Sequence, residues 1–306
     1  MFIEQGINAE NNFWKYIVGS ILIVIASTIG QVPLLLVVMY EAFTKDSKIP
    51  DNQNDMLKYL DSNLTLFLIL ISFVFAIVAV FAVNRYLHKQ KMISIVSSRT
   101  KVDWKRVFLS FSIWTLITVV STALLYFGNP QNFEVNFKPV PFLILAIIAI
   151  PLVPIQTSCE ELVFRGYLMH GFANLSGNRW FPLLMTSFIF GVMHIFNPEV
   201  EKMGPIILVY YVGTGLFLGI MTLMDEGLEL ALGFHAANNL IGALLVTTDW
   251  TVFQTNSILK DLSEPNAGFD VILPVVVIYP LLLVFFGRRY RWYDWKQKLT
   301  GIININ

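Results

Sequence analysis

Cys159-Glu160-Glu161-Leu162-Val163-Phe164-Arg165-Gly166 lies near the end of a long apolar run that starts at about residue 139, and it sets three formal charges within six residues. On insertion scales, one charge at the centre of a membrane helix costs about 2.5–3.5 kcal/mol. Charges survive there when they are paired or perform chemistry. Working outward, two further titratable groups, His194 and His235, also fall inside apolar segments. The reading of the chain turns on whether these residues meet.

The rest of the composition agrees with a membrane setting. Of 306 residues, 56% are hydrophobic and 14% are charged, against about 25% charged in soluble domains. Lys and Arg balance Asp and Glu at 21 each, so no basic field points to nucleic acid. The single cysteine, Cys159, excludes an intrachain disulfide. The apolar stretch from Phe13 to Tyr40 is longer than the roughly 7–15 residues of a signal-peptide core, so it reads as an uncleaved first span.

Apolar segments long enough to span a bilayer fall at 13–39, 64–84, 107–127, 139–170, 180–196, 205–224, 228–248 and 271–287. The expected fold is therefore all-α: a single integral-membrane domain over 1–306, with about eight transmembrane helices and a buried polar cavity. Pro151 and Pro154 interrupt the longest segment, and a kink or break is predicted there. Lys15, the cluster from Arg85 to Arg106, Arg179 and the run from Arg288 to Lys298 share one side. They outnumber Lys45, Lys48, Lys58, Lys138, Lys202 and Lys260 on the other. The positive-inside rule then puts both termini in the cytoplasm. Trp292 and Trp295 beside the last basic run read as interfacial anchors. Gly213, Gly215 and Gly219 lack a phosphate-binding lysine and read as points of close helix approach.

Glu161 and Arg165 are spaced i, i+4 with the acid first, the favourable direction for an ion pair. Glu160 points about 100° away and is left without a local partner, as a carboxylate able to accept a proton. Phe190 with His194, and His235 with Asn239, repeat the i, i+4 spacing on two other helices, with Asn238 alongside. Counted at about 1.5 Å per residue, Glu160, His194 and His235 differ in depth by about 11 Å. That is close enough to converge near mid-membrane, open to the cytoplasmic side. His88 and His170 are expected to be solvated.

The order E-E-x-x-x-R, then F-x-x-x-H, then H-x-x-x-N resembles the CPBP intramembrane proteases, which include the CAAX prenyl endopeptidases and bacteriocin-processing enzymes and are also called the Abi family. Glu160, Glu161 and Arg165 match the first motif, Phe190 and His194 the second, and His235 and Asn239 the third. The resemblance covers about 139–248. It implies peptide-bond hydrolysis in the membrane, with Glu160 as general base on a water that His194 also holds. His235 and Asn239 would stabilise the oxyanion, while Glu161 and Arg165 would set the geometry.

Glu160, His194 and His235 could together hold Zn²⁺ with an open water position, and the family is customarily called metalloprotease. The zincin helix H-E-x-x-H is absent, and a metal-free glutamate mechanism is the expectation. The implied partners are the bilayer and a membrane peptide or lipid-modified protein, in the cell membrane. Two other readings stand beside this one. A non-proteolytic scaffold or bacteriocin-immunity protein would have no use for Glu160, His194 and His235. A transporter would string its polar residues along a path through repeated halves, and no repeat is visible.

Overall fold

Each of the eight predicted apolar segments folds as a helix. The computed structural model describes residues 1–7, 12–265 and 268–304. The helices are α1 (Phe13–Thr44), α2 (Ser62–Leu87), α3 (Trp104–Gly128), α4 (Pro139–Ser176), α5 (Trp180–Val192), α6 (Ile207–Asp225), α7 (Glu229–Leu245) and α8 (Val271–Tyr290). All but α5 and α7 are long and apolar enough to cross a membrane. The remaining two have 13 and 17 residues and extend only about 20 and 26 Å.

The predicted break at the prolines does not occur. Helical structure runs through Pro151 and Pro154, and α4 changes pitch later, in a π-helical turn over Leu162–Leu168. Such turns shift the phase of the residues beyond them and recur at functional sites. This one carries Arg165.

Apolar clusters pack along α4 and α7. Tyr16, Ile23, Val80, Val83 and Ile95 close over Leu162 and Tyr167 of α4, and Leu66, Leu70 and Leu240 pack on Leu145, Ala149 and Val153 of the same helix. In a further cluster Trp114, Phe217, Met221 and Tyr279 surround Phe234 and Ala237 of α7. Small residues set the spacing. A Cβ on Gly215 of α6 would stand 2.9 Å from the Ser187 backbone of α5, and one on Gly233 would collide with the Val107 carbonyl of α3.

The segments that charge assigned to one side do meet at one end of the bundle. Asp225 accepts from Arg106, from Arg99 at 3.3 Å and from Trp292 Nε1 at 3.1 Å. Glu229 accepts from Ser97 Oγ at 2.7 Å and Arg99 at 3.1 Å. Lys298 reaches Glu226 at 3.2 Å, and Arg179 reaches Glu4 at 2.7 Å. Trp292 is thus part of a hydrogen-bonded cap. At the opposite end three short strands pair: β1 (Phe133–Val135), β2 (Val246–Thr247) and β3 (Leu259–Asp261), with β2 taking the last residues of the apolar segment 228–248 out of the predicted helix. Their order is β1-β3-β2, with β1 antiparallel and β2 parallel to β3.

The two histidines expected in solvent are buried. His88 is 2% exposed and shares a 2.8 Å hydrogen bond between its Nε2 and the Tyr167 hydroxyl. Burial, with Lys15 nearby, pushes its pKa down to about 4. His170 is fully buried with its ring 4.8 Å from that of Phe2. The N-terminal turn Phe2–Gly6 covers this region, which hydropathy could not foresee.

Asp225→Ala removes the shared acceptor of Arg99, Arg106 and Trp292. Arg99 keeps Glu229 and Arg106 keeps Asp103, so the cost is that of the lost charge-assisted hydrogen bonds, about 1.5–3 kcal/mol each. The variant is expected to melt well below the wild type in detergent, and an unchanged melting temperature would remove the cap as a source of stability.

Candidate active site

One helix supplies the first half of the site through two interleaved i, i+4 pairs. Arg165 Nη1 donates to Glu161 Oε1 at 2.8 Å, with both side chains fully buried. Gln156 Nε2 donates to Glu160 Oε1 at 2.6 Å. The predicted ion pair is present. The expectation that Glu160 has no local partner is corrected: its partner is a neutral amide one turn earlier.

A buried guanidinium needs more than one carboxylate oxygen. Arg165 Nη2 also donates to the Gly215 carbonyl at 3.3 Å, an oxygen on the close α5–α6 approach. The Phe190 ring lies 4.4 Å from the guanidinium carbon, in cation–π range. Phe190 also stands against Phe164 at 5.3 Å, His194 at 4.8 Å and His235 at 6.0 Å. The aromatic member of the second motif therefore packs against the guanidinium and both imidazole rings at once.

α7 supplies the second half. His235 Nδ1 donates to Glu161 Oε1 at 2.7 Å, and its Nε2 lies 3.5 Å from Glu160 Oε2. A carboxylate–imidazole contact of this kind fixes the orientation and tautomer of the ring. One turn on, Asn239 Nδ2 donates to Gln156 Oε1 at 3.1 Å. Behind it, Asn238 Nδ2 donates to Asn239 Oδ1 at 3.0 Å, and Trp114 Nε1 donates to Asn238 Oδ1 at 3.1 Å. The apparent depth mismatch of His235 disappears because α7 begins beneath the basic cap, with Glu229 fully buried.

His194 lies just past the end of α5, in a turn rather than on the predicted helix. Its Nδ1 is 2.7 Å from the Phe190 carbonyl. That oxygen can only accept, so Nδ1 carries the proton and Nε2 is the nitrogen left for another partner. The ring stacks on Tyr211 at 4.2 Å and 19°. Five residues on, Glu199 Oε1 accepts from Val252 N at 3.0 Å, tying the turn to the loop between β2 and β3. Burial pushes the Glu199 carboxyl pKa up.

Direct hydrogen bonds and close ion contacts thus join Glu160, Glu161, Arg165 and His235, Gln156 links Asn239 to Glu160, and ring packing brings in His194 and Phe190. Gln156, Trp114 and Tyr211 were missed. Gln156 carried a readable signal, the same i, i+4 step that paired Glu161 with Arg165; Trp114 and Tyr211 carried none. Glu160 is 17% exposed. Toward the basic cap the chain closes over it, with Glu161, Arg165, Met169 and His170 at 0%. The half-buried Asn238 and Asn239 lie on the sheet side.

Among the described residues, no group of three or more His, Cys, Asp or Glu side chains could hold a metal ion. Glu160 and His235 approach each other, but the side chains as arranged do not make a three-donor zinc set with His194.

Residues 136–241 match the family model described as type II CAAX prenyl endopeptidase Rce1-like. That stretch contains all seven motif residues and Gln156, and it bears out the resemblance read from the motifs. A protein of Bacillus subtilis (strain 168) described as uncharacterized protein YyaK is 27% identical over 293 residues. The likeness covers 95% of this chain and 96% of that one. No solved structure matches.

Arg165→Ala would leave Glu161 buried with no cation, a loss of about 3–5 kcal/mol. The expected outcome is a large fall in melting temperature of the purified variant. Wild-type melting would show that Glu161 is compensated elsewhere.

Proposed function

We propose that this multi-pass membrane protein, whose residues 136–241 match the Rce1-like CAAX prenyl endopeptidase model, is an intramembrane endopeptidase with Glu160 as general base. The observation that carries this reading is the unequal treatment of the two carboxylates. Glu161 is cancelled by Arg165 and tied to His235. Glu160 accepts from a neutral amide on Oε1, has His235 Nε2 3.5 Å from Oε2, and keeps some exposure. A base must be able to gain and lose a proton, and only Glu160 has that freedom.

In the proposed reaction Glu160 Oε2 takes a proton from a water that His194 Nε2 also holds. The hydroxide adds to the scissile carbonyl carbon, and the oxygen becomes an oxyanion. Asn239 has one amide hydrogen beyond the one given to Gln156. That hydrogen is a donor of the kind the oxyanion needs, and His235, whose Nδ1–H is given to Glu161, holds the neighbouring carboxylate in place. Glu160 returns its proton to the departing nitrogen as the C–N bond breaks, leaving a carboxylic acid and an amine. No step runs through a metal.

The substrate class is a membrane-associated peptide or protein. The basic end, where the chain's terminal segments meet, is assigned to the cytoplasm on the positive-inside rule.

Purified wild type and Glu160→Ala, set against a broad library of membrane-embedded peptides, test the reading. Wild-type cleavage falling about 10²–10⁴-fold in the variant, with melting retained, is the expected outcome. Equal turnover by the two would remove Glu160 as the base. Loss of cleavage on chelation, restored by Zn²⁺, would overturn the metal-free step.

A further inference from the structure

Gln156 is the buried polar residue of the cluster to which the three motifs give no part. It is 5% exposed and sits one turn before Glu160 on α4. Its side-chain amide is engaged at both ends, on Glu160 through Nε2 and on Asn239 through Oε1.

The orientation of that amide follows from what lies at the two ends of the chain of hydrogen bonds. An indole N–H only donates, so Trp114 fixes Asn238 with its oxygen toward the ring. Asn238 must then donate to Asn239, and Asn239 to Gln156. An ionised carboxylate only accepts, so the last donor, Gln156 Nε2, meets Glu160 Oε1. Every amide in the series is thereby set, from a helix that carries no motif to the carboxylate of the base.

Resting on the hydrolytic reading above, we infer that Gln156 is a positioning residue for the reaction. It fixes the separation of Glu160 from Asn239 and leaves Glu160 Oε2 as the oxygen that meets water. A neutral donor is the partner this place requires. A cation would cancel Glu160 as Arg165 cancels Glu161, and an apolar side chain would leave the carboxylate free to turn. Gln156 acts only through its two neighbours, so its loss changes the reacting geometry without removing a substrate contact.

The full-length protein in detergent, with a quenched peptide chosen because the wild type cleaves it, provides the test. Gln156→Met keeps the size and removes both hydrogen bonds. Its kcat is expected to fall on the order of a hundredfold, the scale of a small misplacement of reacting groups, with KM and melting unchanged. Asn239→Ala should cost less in that background than in the wild type, because the two act through one amide. Should Gln156→Met not fold, Gln156→Glu has the same shape, sets a carboxylate against Glu160, and is expected to lose kcat likewise. A kcat within about twofold of wild type, or fully independent effects of Gln156→Met and Asn239→Ala, would overturn the inference alone. No cleavage of any library peptide by the wild type would overturn the hydrolytic reading and this inference with it.

Discussion

Glu161 and Arg165 form an ion pair that no water reaches, and the rest of the site is arranged around the need to compensate it. Two opposite charges in a low-dielectric interior repay their desolvation only if the remaining donors and acceptors are also met. The protein meets them with a carbonyl made accessible where Gly215 lets α6 lie against α5, with the π face of Phe190, and with the imidazole of His235. Each comes from a different helix. Stabilising this pair therefore draws α5, α6 and α7 to the centre of α4.

Once they are drawn there, Glu160 is defined by contrast. It is adjacent in sequence, yet its partner is an amide rather than a guanidinium. The backbone runs straight through both carboxylates, and the i, i+4 rule sends one contact back toward Gln156 and the other forward toward Arg165. One acid is committed to the ion pair and the other accepts from a neutral amide. His235 lies between them, bonded to the first and within 3.5 Å of the second.

Two helices of this core are shorter than a bilayer is thick, and the ends of the bundle account for that. α7 starts beneath a layer of Arg99, Arg106 and Trp292 that satisfies Asp225 and Glu229. α5 ends early and passes His194 in a turn held to Tyr211 and, through Glu199, to the loop near the small sheet. Polar backbone at membrane depth is tolerated where protein surrounds it, and this is how a histidine outside a helix can belong to the site.

How much of this was legible follows from the range of each interaction. Hydropathy located all eight helices, and residue spacing located the Glu161–Arg165 pair, because both are properties of a local stretch of chain. The seven motif residues could be listed; four of them are joined directly, and Asn239 is reached through Gln156. Other features needed partners distant in sequence. Gln156 and Asn239 are 83 residues apart, Trp114 and Asn238 124, and Phe2 meets Glu226 across 224. The same distance misled the reading of His88 and His170, whose burial depends on an N-terminal turn and on Tyr16 and Tyr167. By itself the sequence determined which residues lie in the membrane and which carboxylate has a cation one turn away, since helix periodicity is set by neighbouring residues. Only the tertiary structure decided which helix each free hydrogen-bonding group would face, since that is set by how close the backbones can pack.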